Sequence, residues 1–196
     1  MMYIEIYNKV KEHFISHNNI ERFNHSIRVM EMALKLNQIH GLNLDINKLQ
    51  VAAILHDYAK VIDKNIQKEL LLKKYPNDLE LLNYEPIWHS LIGDVIIKKD
   101  LNIFDEDILD AVVYHTIGRP EMNDMTKVIF LADYIEEGRT HKEAEKVRNI
   151  AYRNLNQAII EMIECSLKYL NNKGYPIYYK TLETYKYYKE GIVNVR

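Results

Sequence analysis

Three short segments carry between them the residue types of one metal–phosphate site: Arg22-Phe23-Asn24-His25, Leu55-His56-Asp57 and Leu131-Ala132-Asp133. Thirty residues separate His25 from the His56-Asp57 pair, and seventy-five separate that pair from Asp133. An adjacent His-Asp pair inside an apolar run needs partners, and a cation with mixed nitrogen and oxygen ligands is a good one. Asp133 is likewise an acid in a run, Val128 to Ile135, that would otherwise be core. His25, between Asn24 and Ser26 near a helix start, reads alone as a surface or capping histidine. Order and spacing together point to ligation by His25, His56, Asp57 and Asp133. Two imidazoles and two carboxylates can enclose one octahedral ion and leave positions for water and phosphate. The set argues against a closed structural zinc site, which is more often cysteine-rich. Iron, manganese or cobalt fit better, and the ligands alone do not choose among them.

Cations stand beside these ligands. Arg22 lies three residues before His25, so one helix face would carry both. Lys60 lies three beyond Asp57, and Arg139 six beyond Asp133. A guanidinium grips phosphate oxygens bidentately, whereas an ammonium acts as a point charge. Lys and Arg are usually solvated surface charges; it is their clustering beside the ligands that singles these out. His89 follows Trp88, and His115 ends an apolar helix. Each reads as a satisfied core histidine, a ligand to a second metal, or a proton donor to phosphate. His13 and His17, at i and i+4 in a polar stretch, read as a solvated helix end, and His40 and His141 as boundary or surface residues. Cys165 reads as a small packing residue on a buried helical face.

The elements that position these residues read as helices from end to end. Apolar residues recur at helical spacing over 3–16 (Tyr3, Ile6, Tyr7, Val10, Phe14) and over 24–39 (Ile27, Met30, Ala33, Leu34, Ile39). Asp45 is an N-cap for a helix running through Leu49 and Leu55 into His56-Asp57. Further helices are predicted at 65–74, 86–99, 105–115, 124–136, 142–171 and 179–189. Most of the four prolines and six glycines fall between these blocks. The fold class predicted is therefore all-α, one helical domain spanning residues 1–196.

Composition bounds the partners. The chain has 26 basic and 28 acidic residues, a formal net charge of −2, which gives no long-range attraction for nucleic acid. One cysteine cannot form an internal disulfide, which fits a reducing cytoplasm. No early apolar run has signal-peptide shape, and no segment reaches the roughly eighteen apolar residues of a membrane span. Homodimerisation is compatible with the chain.

Taken together, Arg22-Phe-x-His25, Leu55-His56-Asp57-x-Ala59-Lys60, Trp88-His89-Ser90, Tyr114-His115-Thr116-x-Gly118 and Leu131-Ala132-Asp133-Tyr134-Ile135-Glu136-x-x-Arg139 resemble the YqeK branch of the HD superfamily. The matching segments run from about residue 20 to 140, with a weaker match at Gly174-x-Pro176-Ile177. That resemblance implies an HD helical bundle with an iron-dependent site that cleaves diadenosine tetraphosphate into two ADP. It implies that His25, His56, Asp57 and Asp133 hold the iron. Arg22, Lys60, His89, His115, Thr116 and Arg139 would surround the phosphates of the substrate or of ADP or GDP as product. The loop Pro176, Ile177, Tyr178, Tyr179, Lys180 and Thr181 would lie against the nucleoside. The implied chemistry is in-line attack by water acidified at the ion. Asp57 would orient that water, Arg22 and Arg139 would balance developing charge, and His89 or His115 would assist the leaving group. The sequence departs from the family in two places. Glu137 stands where proline is usual, and Tyr185-Lys186 replaces an Arg-Asn pair. Two other readings compete: an HD-type nucleotidase acting on mononucleotides, and a regulatory module that binds nucleotide without turnover.

Overall fold

Asn19, Asp45, Asp63, Asp105, Asn123 and Asn154 each turn a side-chain oxygen onto the free N–H groups that follow, and these caps set where six helices begin. In the computed structural model, which describes residues 3–193, eleven α-helices follow one another and no strand is present among the described residues. They are α1 (Tyr3–Ser16), α2 (Ile20–His40), α3 (Ile46–Leu55), α4 (Lys64–Lys74), α5 (Trp88–Leu91), α6 (Gly93–Leu101), α7 (Glu106–Tyr114), α8 (Asp124–Ile135), α9 (Lys142–Ala151), α10 (Leu155–Lys173) and α11 (Tyr179–Val193). None of the described helices is long and apolar enough to cross a membrane.

The all-α expectation holds, with corrections to individual elements. The predicted helix over 142–171 is two helices. Tyr152 and Asn154 turn back onto Arg148 and Ile150, and the Asn154 side chain then caps a fresh start at α10. The predicted helix over 86–99 is a 3₁₀ turn (Glu85–Ile87) followed by α5 and α6, broken at Ile92 and Gly93. A Cβ on Gly93 would stand 2.6 Å from Val112 Cγ1, so the close approach of α6 to α7 requires glycine there. α2 starts four residues earlier than the predicted 24–39, at the Asn19 cap, which puts Arg22 and His25 together in its first two turns. Its buried face is Phe23, Val29, Met32, Ala33 and Leu36. Ile27, Met30 and Leu34 are only half-buried, and Ile39 is exposed. α3 ends at Leu55, so His56-Asp57 does not continue it but bridges into a 3₁₀ turn at Tyr58–Val61.

At the centre, α2 packs on α3 and α8, and α7 packs on α3 and α8. Ala52, Ala53, Leu55, Val112, Val128, Ile129 and Leu131 are fully enclosed between them. Burial of a side chain such as Leu55 or Ile129 contributes about 1.5–3 kcal/mol before entropy is counted. α1 closes one side over α2 and α3, and α9, α10 and α11 build outward from α8. Cys165 is half-buried on α10, packed against this core.

Candidate metal and phosphate site

Three of these helices end at one place. His56 is the C-cap of α3, His115 the C-cap of α7, and Asp133 lies in the last turn of α8. The C-terminus of a helix carries partial negative charge from its unpaired carbonyls, so a junction of three favours a cation. His56 Nδ1 is 2.7 Å from Ala53 O, and His115 Nδ1 is 2.7 Å from Val112 O. Each backbone carbonyl accepts the Nδ1–H, which leaves the Nε2 lone pair facing the junction. His25 comes in from α2 with Nε2 2.9 Å from Asp133 Oδ1 and Nδ1 3.2 Å from Glu136 Oε1.

Asp57 is 3 % exposed and has two distinct faces. Oδ2 is 2.9 Å from Arg22 Nη1 and 3.5 Å from His56 Nε2. Oδ1 is 3.0 Å from His89 Nε2 and 3.6 Å from His115 Nε2. Burial pushes the Asp57 carboxyl up, but the neighbouring His56, His115 and His89 rings outweigh it and hold it well below the usual carboxylate range. Asp133 is also lowered against burial, through the His25 hydrogen bond and the His56 charge. His56 moves the other way. Burial lowers it, yet the Asp57 and Asp133 carboxylates raise it overall, so the junction favours positive charge at that spot. Burial pushes His89 down to about 3, which keeps its ring neutral.

One polar atom decides what this cluster fits. His56 Nε2 is fully enclosed and has no hydrogen-bond partner, an arrangement that costs on the order of 1–3 kcal/mol unless something binds there. Donor atoms of His25, His56 and Asp57 lie within 4.8 Å of one another, as do those of His56, His115 and Asp133 and those of Asp57, His89 and His115. The histidine nitrogens and carboxylate oxygens of such groups suit a first-row divalent ion.

Cations rim the cluster as the sequence predicts. Besides Arg22, Lys60 Nζ is 3.4 Å from the His89 ring, and burial lowers its pKa. Arg139 Nη2 is 3.4 Å from Asp133 Oδ1. Thr116 sits beside His115, its hydroxyl 2.6 Å from Ser90 Oγ.

The family of HD domains matches residues 22–138, which takes in every residue of this cluster. The chain is 41 % identical over 176 residues to the symmetrical bis(5'-nucleosyl)-tetraphosphatase of Halalkalibacterium halodurans, covering 90 % of this chain and 91 % of that one. It is 38 % identical over 184 residues to the protein of the same name in Bacillus subtilis, covering 93 % and 95 %. A crystal structure from Clostridium acetobutylicum, described as a predicted HD superfamily hydrolase involved in NAD metabolism, superposes with a TM-score of 0.87 at 32 % identity, covering 94 % and 97 %. The chain belongs to the HD domain family.

The segment Pro176–Thr181 lies beyond the matched residues 22–138 and outside the His/Asp cluster, and only Pro176–Tyr178 are loop, because Tyr179–Thr181 form the first turn of α11. Tyr178 turns inward, its hydroxyl on Asp78 Oδ2 at 2.8 Å, and Tyr84 donates to Ile177 O at 3.4 Å. Pro176 and Tyr179 are exposed, and Ile177, Lys180 and Thr181 half-buried. One turn into α11, Thr184 Oγ1 donates to Ile117 O at 3.2 Å, which ties α11 to the turn after His115 and Thr116. The departures from the family pattern point away from the cluster. Tyr185 donates to Glu164 Oε1, Lys186 is exposed beside Glu190, and Glu137 is exposed 3.4 Å from Lys35.

His13 corrects the sequence reading. Its ring is half-buried and stacked on Tyr58 at 3.9 Å, with Nε2 3.0 Å from Tyr58 O, while His17 is exposed. His40 meets Ala151 O at 2.6 Å, and His141 caps α9, both boundary roles as expected. Three functional neighbours escaped the sequence. Arg148 donates to the carbonyls of Ile135, Glu136 and Arg139 and so fixes the chain after α8. Glu136, part of the Asp133-Tyr134-Ile135-Glu136 motif but given no role, is 2 % exposed, with Arg28 Nε donating to its Oε2 at 2.7 Å. The only available signal for Glu136 was an acid abutting the apolar end of α8; Arg28 and Arg148 gave none.

Proposed function

We propose that this chain hydrolyses diadenosine tetraphosphate and related dinucleoside tetraphosphates symmetrically, releasing two ADP from the adenine substrate. The carrying observation is the unpartnered, enclosed His56 Nε2 among intact His and Asp donors. That cluster sits in a chain covering more than nine-tenths of relatives named for this activity. His25, His56, Asp57 and Asp133 would hold the ion, iron in preference to manganese or cobalt. Asp57, His89 and His115 offer a second cation position. When bound, such an ion supplies Lewis-acid charge to phosphoryl oxygens and acidifies a water nucleophile.

The protein's own groups do the rest. Arg22, Lys60 and Arg139 present three cations to the phosphate chain, two of them able to take oxygens bidentately. Asp57, ionised and fixed by Arg22 and His89, accepts a hydrogen bond from the attacking water and orients it. His89 stays neutral with its Nε2–H on Asp57, so it would hold that carboxylate beside the phosphates rather than pair with them as an imidazolium. His115 Nε2, 3.2 Å from His89 Nε2, is placed to carry the proton toward the leaving diphosphate. The Pro176–Thr181 segment, tied through Thr184 to the turn after Thr116, receives the nucleoside.

The test is anaerobic incubation of iron-loaded protein with diadenosine tetraphosphate, with products separated by chromatography and Asp57→Ala as control. ADP alone, lost in the variant, is the expected result. AMP with ATP would refute the symmetric cut. No product, with release of inorganic phosphate from mononucleotides, would replace the reading with a nucleotidase. Nucleotide binding without any cleavage would replace it with a regulator.

A further inference from the structure

Glu136 is a carboxylate inside the protein that touches no proposed substrate position. It lies one residue past α8, and its two oxygens face different partners. Oε2 accepts from Arg28 Nε at 2.7 Å and from the Gly138 N–H at 2.5 Å. Oε1 is 3.2 Å from His25 Nδ1, with Arg28 Nη2 at 3.5 Å and Arg139 Nε at 3.8 Å. Every one of these neighbours except the imidazole is an obligate donor, so both oxygens act as acceptors. The imidazole is therefore required to present Nδ1–H to Glu136. Its other nitrogen, Nε2, faces Asp133 Oδ1 at 2.9 Å at the junction, so with the Nδ1 proton held by Glu136 any proton on Nε2 is the one an ion displaces. For His56 and His115 a backbone carbonyl sets the tautomer. His25, in the second turn of α2, has its backbone neighbours tied up in the helix, and only Glu136 does this for it.

We propose that Glu136 is the positioning residue for His25, fixing the imidazole as the Nδ1–H tautomer so that Nε2 can ligate the metal, with Arg28 and the Gly138 N–H holding the carboxylate in register. This rests on the metal-site part of the proposed function and not on its substrate. Carboxylate–histidine–metal relays of this kind typically govern 10–100-fold in metal affinity.

Glu136→Gln separates this role from simple packing, because the shape is kept. Glutamine has one acceptor oxygen, and the two short bonds from Arg28 Nε and Gly138 N–H claim it. Its NH₂ then points at His25 Nδ1, which must accept, so the proton moves to Nε2 where the ion should bind. Chelator-treated full-length protein is titrated with cobalt(II) alone by calorimetry. Imidazole tautomers are read in the metal-free protein from two-bond ¹H–¹⁵N correlation spectra. The expected result is a proton on His25 Nδ1 in the wild type and an unprotonated Nδ1 with Nε2–H in Glu136→Gln, with cobalt affinity about 10–100-fold weaker. Glu136→Asp, which keeps an acceptor toward the ring, should retain the wild-type tautomer and bind more tightly than the glutamine variant. The exposed neighbour change Glu137→Gln should alter neither reading.

Unchanged cobalt affinity in a folded Glu136→Gln protein would overturn the proposal. So would a weakened affinity without a change of tautomer, which would mark Glu136 as structural. A wild-type His25 with no proton on Nδ1 would overturn it whether or not the variant folds. A wild type that binds no cobalt would instead refute the metal reading itself, and no arm depends on nucleotide hydrolysis.

Discussion

The His115-Thr116-x-Gly118 signature has a physical reason that can be measured through Gly118→Ala. Gly118 has φ +64°, and its N–H closes the end of α7 on Tyr114 O at 2.9 Å. An alanine in the left-handed region costs about 1–2 kcal/mol. Its Cβ would also stand 2.7 Å from Thr184 Cγ2 and 3.2 Å from Phe130 Cζ, and overpacking of that kind costs about 1–3 kcal/mol. The sum is about 2–5 kcal/mol, which in a domain of this size lowers the melting temperature by about 4–20 °C. The two parts separate in a double-mutant cycle with Thr184→Ser, followed by far-UV circular dichroism on heating. Serine removes Cγ2 but keeps the hydroxyl that donates to Ile117 O and Lys180 O. Relative to Thr184→Ser alone, Gly118→Ala should then cost mainly the backbone part and the Phe130 contact. An unchanged melting temperature for Gly118→Ala, or a cost identical in both backgrounds, would refute the assignment of that glycine to the seat of α11.

Adding a divalent ion to chelator-treated protein should raise its melting temperature. An ion at one hundred times its dissociation constant contributes about 2.7 kcal/mol, or about 5–11 °C here, and His56→Ala should abolish the shift. Base should destabilise the fold. Burial pushes Tyr58, Tyr134 and Tyr188 up to about 12, and raises Tyr75 and Tyr178 as well. A phenol whose pKa is higher folded than unfolded contributes fully below its unfolded value near 10. That contribution is lost as pH rises from there through the folded value. Denaturant midpoints should therefore hold up to about pH 10 and fall toward pH 12, and a flat profile across that window would contradict the tyrosine burial described here.

Periodicity and caps made most of the helices legible, because an apolar stripe and an Asp or Asn at the N-cap are local signals. The breaks were not legible for the same reason. Nothing local distinguishes Tyr152-Arg153-Asn154 from helix interior except one asparagine, and the decision there comes from the backbone turning onto Arg148 and Ile150. The Gly93 break depends on Val112 across the interface, a partner a one-dimensional pattern does not see. His56, Asp57 and Asp133 stood out because polar residues inside apolar runs are chemically costly, and His25 joined them only through order and spacing. Glu136 and Arg28 did not, since their meaning comes from each other across 108 residues of chain. His13 misled for a related reason: its neighbours on α1 are polar, but the Tyr58 ring that covers it arrives from the turn after α3.

The placement of the cluster explains why the fold tolerates it. Two carboxylates and several imidazoles within a few ångströms would be a liability in an ordinary core, because taking charges out of water can cost more than pairing them returns. Here the cost is divided. Asp57 spends Oδ2 on Arg22 and Oδ1 on His89, and Asp133 meets His25 and Arg139. His56 and His115 hand Nδ1–H to carbonyls already stranded at helix C-termini. What remains after this division is one unpartnered Nε2, carboxylate oxygens that still hold positions for an ion, and the partial negative charge of three helix ends. Each of those residues of the arrangement is satisfied by the same thing, a cation at the junction. Under the proposed function, Arg22, Lys60 and Arg139 on the rim would then supply the donors for the phosphate chain.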